Sequence, residues 1–213
     1  MTLVRSTLLL TLLLGAFASA QQPQRGAQPP PAGAPPGQPP GGRGGGRGAI
    51  ATMTLTSTAW SDGGQIPAKY TQAGEQVSPP VAWTNVPDGA ASFVILMHDV
   101  DAAIGNGTDD ILHWLLWNIP AAARSLAEGV AQGAQLPDGT RQISASGPYY
   151  RGPGAAAAGP AHHYVLELFA LDTALDIAPV GASPPQTRAA IVAAMAGHVR
   201  GKGALVGLFH RAP

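Results

Sequence analysis

Two aspartates at the end of an apolar run are the first residues whose spacing suggests chemistry. In "SFVILMHDVD" (92–101), Asp99 and Asp101 follow a stretch typical of a β-strand. Side chains two residues apart in an extended chain point to the same side, so the two carboxylates are expected to face together. Two like charges at such a short distance would raise the pKa of one carboxyl group and make it a useful acid. Two alternatives are left open: a solvated strand end, or an Asx turn that orders the next loop.

Histidines stand at the starts of two other apolar runs. His113 opens "HWLLWNIP", where a lone imidazole is most simply a hydrogen-bonded core residue. His162 and His163 lie where the loop "GPYYRGPGAAAAGPA" meets the run "HHYVLELFALD". Alternation along a strand puts His162 on one face with Tyr164 and turns His163 to the other face. His162 is therefore the stronger candidate for a binding site, and His163 is expected at the surface.

Other kinds of site find little support in the sequence. It contains no H-E-x-x-H motif, no G-x-S-x-G elbow, no phosphate-binding glycine loop and no cysteine, so we predict no metal, no cofactor and no thiol or serine nucleophile. His98 and His210 have no evident partner in the sequence and are interpreted as structural. His198 follows a helical stretch, where it would favour the helix dipole.

The elements that must position these residues are mostly strands. Long strands are predicted over 92–101, 112–120, 163–171 and 203–211, with shorter or edge strands in "TMTLTSTAW" and "PPVAWTNVP". One helix is predicted from Ser183 as N-cap, with Pro184 at its first position and Gln186 completing a capping box. Residues 123–131 are predicted to form a short helix or a turn. The predicted fold class is mainly β: an antiparallel β-sandwich with a few peripheral helices.

The first 49 residues differ in composition from the rest of the chain. Residues 1–20 have one Arg, a short apolar run and a small-residue cleavage site, which predicts a signal peptide and therefore export to the periplasm or the medium. Residues 21–49 form a Pro- and Gly-rich segment that is predicted to be a disordered linker, because 21–48 contain no Val, Ile, Leu or aromatic residue. Residues 50–213 are predicted to form one domain. The mature chain is not expected to carry a transmembrane segment.

The charge of residues 50–213 argues against nucleic acid as a partner. Eight basic residues stand against twelve acidic ones in this range, a net charge of about −4. A nucleic-acid-binding domain would instead show a basic stripe.

Three motifs in order give the chain a family resemblance. "HDVDA", "HWLLWNIP" and "GPYYRGPG…HHYVLELFALD", within residues 53–211, resemble the phosphatidylethanolamine-binding proteins, especially their bacterial Raf-kinase-inhibitor-like branch. The resemblance implies a β-sandwich with a small exposed pocket for phosphate-like groups such as phospholipid headgroups. Carried over by position, the ligand-binding residues would be Asp99, Asp101, His113, Gly152, Pro153, His162 and Tyr164. Imidazole and phenol groups can donate to phosphate oxygens, and a glycine loop lets backbone N–H groups approach.

The chain also departs from the family pattern. Where the pattern has D-P-D-A-P, residues 99–103 read "DVDAA", so both prolines are missing, and Gly154 replaces a second proline after Gly152-Pro153. Residues 162–164 read "HHY" where the family pattern has H-R-Y. These changes predict a looser loop and an altered choice of ligand.

Two functions from different classes follow. The first is an exported, non-catalytic binding protein with an anion pocket for phosphorylated ligands or phospholipid headgroups. The second is a hydrolase or lyase that uses the Asp99, His113 and His162 cluster as acid and base. The missing nucleophile motif favours the first. The sequence leaves the oligomeric state open, with a homodimer as one option.

Overall fold

The computed structural model describes residues 49–178 and 183–213. The predicted signal peptide and residues 21–48 of the predicted linker lie outside the described residues. Short 3-10 turns lie at Ala68–Tyr70 and Gly105–Gly107. In chain order the strands and the helix are β1 (Ala51–Thr52), β2 (Thr54–Thr56), β3 (Gly64–Gln65), β4 (Val81–Thr84), β5 (Ser92–Ile104), β6 (Asp109–Pro120), β7 (Ser125–Leu126), β8 (Arg141–Ile143), β9 (His162–Leu171), α1 (Pro184–Met195) and β10 (Val199–Phe209).

A seven-stranded sheet forms the centre of the molecule. Its order is β1-β10-β9-β5-β6-β8, and β3 pairs with β10 off this path. The long strands β10, β9, β5 and β6 pair antiparallel, while the short strands β1 and β3 pair parallel to β10. Parallel pairing in this sheet therefore occurs only between β10 and the short strands β1 and β3. A second sheet has the order β2-β4-β7 and is antiparallel.

Both faces of the large sheet are covered, which explains the unbroken apolar run in β5. Phe93, Ile95 and Met97 belong to a core cluster that includes Leu55 and Trp83 of the small sheet. On the other face, Val94 and Leu96 belong to a cluster that includes Ile191 and Met195 of α1. A strand buried on both faces needs apolar residues at every position. We call these the pocket face and the helix face of the large sheet, because the pocket described below lies on the first.

The start of α1 follows from its sequence. The backbone N–H of Ser183 donates a hydrogen bond of 3.0 Å to Oε1 of Gln186, as part of a capping box. Pro184 occupies the first helical position, where its missing N–H costs nothing. The predicted N-terminus of the helix is confirmed.

The fold class predicted from the sequence is confirmed: two sheets pack face to face and helical structure is peripheral. Within 123–131, the prediction of a short helix or turn misses the strand β7, which pairs with β4. A strand of two residues is too short to show the alternation of apolar and polar residues that predicts a strand. Among the helices of the described residues, none has both the length and the apolar character to cross a membrane.

Candidate ligand-binding pocket

A small pocket lies where the loop before β9 (residues 144–161) meets the strands β5, β6 and β9. Its volume is about 180 Å³. Pockets for drug-sized ligands usually measure about 300–1,000 Å³, so this one suits an ion or a small headgroup. Its lining residues are Gln72, Asp99, Ala102, Ile111, His113, Arg151, Gly154, Ala155 and His162.

Asp99 holds His162 in a fixed orientation. The Asp99 side chain accepts the Nδ1–H of His162 at 2.9–3.0 Å and is itself almost fully buried, at 3% exposure. The same carboxylate accepts the backbone N–H groups of Asp101 and Ala102 at 3.1 Å each. The proton on Nδ1 leaves Nε2 of His162 as the nitrogen for a ligand. Asp99 thus makes the Asx turn and also positions a pocket imidazole.

His113 is buried deeper in the same pocket. Its exposure is 2%, and its Nδ1 lies 2.8 Å from the backbone carbonyl oxygen of Arg151. Its ring packs edge-on against Tyr164, with ring centroids 5.0 Å apart. Burial lowers the pKa of His113, and the nearby positive charge of Arg151 acts in the same direction, against the opposing effects of the Arg151 carbonyl and the Asp99 carboxylate.

Tyr164 supports the loop and does not line the pocket. It is fully buried, and its hydroxyl oxygen accepts the backbone N–H groups of Gly154 and Ala155 at 3.2 and 3.1 Å. Burial, followed by the Asp99 charge, raises the pKa of Tyr164 to about 12. The structure therefore places this phenol beside the loop and outside the lining, and its contact with a ligand stays a prediction. Through these two hydrogen bonds, the phenol holds the loop before β9 against that strand.

Gly152 and Pro153 also serve the loop. A Cβ added to Gly152 would lie 2.7 Å from the Tyr70 carbonyl oxygen and 2.8 Å from Thr71 Cα. The Gly152 and Pro153 carbonyls accept hydrogen bonds from the Gln72 side chain and backbone at 2.7 and 2.9 Å. The close approach predicted for this glycine exists, but it is to protein backbone, and neither residue lines the pocket.

Asp101 and His163 form a separate, exposed pair. Nδ1 of His163 lies 2.8 Å from Asp101 Oδ2, and the two side chains are 54% and 42% exposed. The backbone and side chain of His163 lower the pKa of Asp101, the opposite of the rise predicted for two carboxylates facing together. Asp99 accepts the backbone N–H groups of Asp101 and Ala102 in a turn, and Asp101 accepts hydrogen bonds from His163. His163 faces away from the pocket, as the alternation along β9 predicts.

Arg151 is the functional candidate that sequence reasoning missed. It lines the pocket, and among the described residues its guanidinium has no carboxylate within salt-bridge distance. It directly precedes Gly152-Pro153 in the chain, and a lone cation beside a glycine loop was the available signal. Gln72 was missed as well, because it comes from a distant segment of the sequence.

The polar residues of the pocket lining are Arg151, His113, His162, Gln72 and Asp99, whose carboxylate accepts hydrogen bonds from three protein donors. The lining contains no Ser, Thr, Cys or Lys that could act as a nucleophile. Within the described residues there is also no group of three or more His, Cys, Asp or Glu side chains placed to hold a metal ion.

Comparisons with known proteins agree with this architecture. The family model described as phosphatidylethanolamine-binding protein matches residues 56–210. A UPF0098 protein of Methanothermobacter thermautotrophicus is 40% identical over 161 residues, 75% of this chain and 99% of that protein. A Mycobacterium tuberculosis protein that carries the name lipoprotein LppC is 34% identical over 76% of this chain and 74% of its own length.

A solved structure shows the same likeness in three dimensions. The phosphatidylethanolamine-binding protein homologue CT736 from Chlamydia trachomatis is 30% identical, with a TM-score of 0.60 over 76% of this chain and 99% of that one. The chain belongs to the phosphatidylethanolamine-binding protein family.

Proposed function

We propose that this protein binds a small phosphorylated ligand or a phospholipid headgroup in the pocket between Arg151 and His162, without catalysing a reaction. The observation that carries the proposal is Arg151, which lines a cavity of about 180 Å³ and, among the described residues, forms no salt bridge with a carboxylate. A guanidinium offers several N–H donors in a planar array that matches phosphate oxygens. The family name supports the same ligand class.

His162 supplies a second donor to the ligand. With Nδ1–H held by Asp99, its Nε2 can donate only when the ring is protonated. Asp99 already accepts hydrogen bonds from His162 and from two backbone N–H groups, so we assign it a positioning role and not contact with a ligand ammonium.

An acid–base hydrolase is the second candidate, and the Asp99–His162 pair is the observation that favours it. A carboxylate that orients an imidazole is a common arrangement of a general base. Because the lining offers no hydroxyl, thiol or amine nucleophile, the base would activate water directly. Phosphorus NMR of phosphoethanolamine incubated with the protein separates the two functions: release of inorganic phosphate would support the hydrolase.

We also propose that the protein works outside the cytoplasm. The signal-peptide pattern of residues 1–20 supports this, as does the relative whose name marks it as a lipoprotein. N-terminal mass analysis of the mature chain tests it, and a mature chain that still begins at Met1 would contradict it.

Calorimetric titration with inorganic phosphate and phosphoethanolamine tests the binding proposal. Arg151→Ala should weaken binding about tenfold or more, because a hydrogen bond to a charged group contributes about 1.5–3 kcal/mol. Arg200→Ala is the matched control, since its side chain pairs with Asp172 beyond the opposite end of β9. That control should keep the parent affinity within about twofold. Equal losses in both variants, or no affinity in the parent protein, would refute the proposal.

A further inference from the structure

We propose that Asn106 is a site of spontaneous covalent modification, at which the side-chain amide leaves as ammonia and the residue becomes isoaspartate or aspartate. The residue lies in the turn Gly105–Gly107 between β5 and β6. It begins the one Asn-Gly pair of the chain. The reaction needs water and no enzyme, and it replaces a neutral side chain of the β5–β6 hairpin by a carboxylate.

The reaction starts at the backbone nitrogen of Gly107. This nitrogen attacks Cγ of Asn106, a new C–N bond closes a five-membered succinimide ring, and the side-chain nitrogen leaves as ammonia with the proton of the Gly107 N–H. Water then opens the ring at one of its two carbonyl carbons. Opening at the backbone carbon gives isoaspartate, whose main chain is one methylene longer, and opening at Cγ gives aspartate. One water is consumed, one ammonia is released, and no group is oxidised or reduced.

The three asparagines of the chain share one backbone conformation, so their surroundings can be compared directly. Asn85, Asn106 and Asn118 have φ angles of 58°, 63° and 56°, in the left-handed region that asparagine tolerates. Val86 and Ile119 follow the first and the third, and their branched side chains crowd the nitrogen that would attack. The residue that follows therefore separates Asn106 from the other two.

Gly107 leaves its nitrogen unhindered. Its φ is +91°, and a Cβ placed on it would meet no atom within 4 Å, so the turn has open space beside it. Glycines on both sides of Asn106 also let the turn change shape, because a residue without a Cβ moves between regions of φ and ψ at little steric cost. Attack requires such a change, since the ψ of Asn106 has to rotate away from its native 25°.

Hydrogen bonds distinguish the three asparagines as well. The Asn118 side chain donates to the Leu175 carbonyl at 3.0 Å and accepts the Leu175 N–H at 2.8 Å, and the Asn85 side chain donates to Thr54 at 3.3 Å. Among the described residues, the Asn106 side chain has no such partner, and residues 105–109 are all exposed. Cγ of Asn106 can therefore turn towards the next nitrogen without breaking a side-chain hydrogen bond.

The product carries a charge on the hairpin that borders the pocket. Ala102 of β5 and Ile111 of β6 line the cavity. Ala102 lies four residues before Asn106, so their Cα atoms are at most about 14 Å apart. If the pocket binds an anion, as the proposed function states, the new carboxylate should weaken that binding about twofold at an ionic strength of about 0.01 M. At about 0.15 M the charge is largely screened.

Peptide mapping by mass spectrometry of the purified protein, incubated at mildly alkaline pH and physiological temperature, tests the modification. Cleavage before aspartate places the three asparagines in different peptides. The peptide with Asn106 should gain the mass difference between an amide and a carboxyl group, and fragmentation should show isoaspartate at that position. Asn85 and Asn118 should convert at least about tenfold more slowly, a barrier difference of about 1.4 kcal/mol or more.

Two variants with a matched control assign the reaction to this pair of residues. Asn106→Gln keeps the amide but requires a six-membered ring, so the conversion should be lost. Gly107→Ala adds a methyl group beside the attacking nitrogen and should slow the conversion. Gly129→Ala has a similar positive φ and equally open space, and it should leave the rate at Asn106 unchanged. If Gly107→Ala fails to fold, Asn106→Gln carries the assignment.

Three outcomes would overturn the modification. The first is conversion of Asn85 or Asn118 as fast as Asn106, and the second is an Asn106 that stays intact while the urea-unfolded chain converts. The third is a glycan on Asn106, since Asn106-Gly107-Thr108 also matches the N-x-T acceptor pattern and a glycan blocks the amide.

Calorimetric titration with inorganic phosphate tests the effect on the pocket. Anion exchange separates the converted form, which carries one more negative charge, from the unconverted form. Their affinities should differ about twofold at about 0.01 M ionic strength and agree at about 0.15 M. Equal affinities at low ionic strength would overturn the effect on the pocket and leave the modification standing. Absence of phosphate binding by both forms would overturn the proposed function and this effect together, while the modification would still stand.

Discussion

Two histidines on neighbouring strands of the large sheet meet opposite environments. His98 of β5 pairs in register with Leu112 of β6, so His113 is the next residue along β6. His98 lies on the helix face, where its Nδ1 is 2.6 Å from Asp110 and its Nε2 is 3.5 Å from Glu167. His113 lies on the pocket face and contacts a carbonyl and an aromatic ring.

The two environments act on the imidazoles in opposite directions. Burial alone would lower the pKa of His98, but the carboxylates of Glu167 and Asp110 outweigh it and raise that pKa. At His113 burial prevails, and the pKa is lowered. Burial is thus common to both, and the presence of a carboxylate beside the ring decides the sign.

The helix face shows what a closed charge network looks like. Asp110 pairs with both His98 and Arg188 of α1, and Glu167 pairs with Lys202 at 2.6 Å. Each charged group there meets an opposite charge from another element, so the network fixes α1 to the sheet and offers nothing to a ligand. On the pocket face, Arg151 lines the cavity and forms no salt bridge with a carboxylate of the described residues. The contrast supports binding on the pocket face and a structural role on the helix face.

The largest effect expected is on the hydrogen-bonded pair of Asp99 and His162 on the pocket face. Asp99→Ala should lower the free energy of unfolding by about 2–3 kcal/mol, because His162 and two backbone N–H groups lose their acceptor. Asp101→Ala removes an exposed pair two residues along and should cost below about 1 kcal/mol. Urea denaturation of both variants measures the difference. Similar costs would mean that burial does not distinguish the two pairs.

A smaller effect is expected from two glycines of the pocket loop. Gly152→Ala should cost about 1–3 kcal/mol, because its new Cβ would meet the backbone of Tyr70 and Thr71, which cannot move aside. Gly154→Ala would meet only the Gln72 side chain, which can turn away, and should cost about 1 kcal/mol or less.

Thermal unfolding of the two glycine variants, together with their phosphate affinity, sharpens the assignment. Gly152→Ala should reduce both stability and affinity, since the loop that carries Arg151 has to shift. A Gly152→Ala variant as stable as the Gly154→Ala variant would show that the loop is looser than its contacts with Tyr70 and Thr71 indicate.

Much of this comparison could be predicted from the sequence, and the rest depends on contacts between distant residues. The apolar runs predicted β5, β6 and β9, and alternation along β9 separated His162 from His163. The Asx turn that the sequence left open at Asp99 is present, and the pairing of Asp101 with His163 was missed because it joins two strands that are distant in the sequence. The partners of His98 were missed because Asp110, Glu167 and Arg188 come from three different elements. Arg151 was missed because it lies in a loop, where no strand alternation or helical periodicity predicts which way a side chain points.

The smallest effect expected is on the pH dependence of stability, where the two histidines should differ in sign. A raised folded-state pKa means that His98 contributes stability that is fully present below about pH 6.5 and is lost as the pH rises through its folded-state pKa. A lowered pKa means that His113 destabilises the fold progressively as the pH falls below about 6.5. His98→Gln should therefore lose more stability relative to the parent at about pH 5.5 than at about pH 8.5, and His113→Gln should lose less at the lower pH. Urea denaturation at the two pH values measures both differences, with His210→Gln, an exposed histidine, as the control. If both variants changed with pH in the same direction, the carboxylates on the helix face would not be what sets these two imidazoles apart.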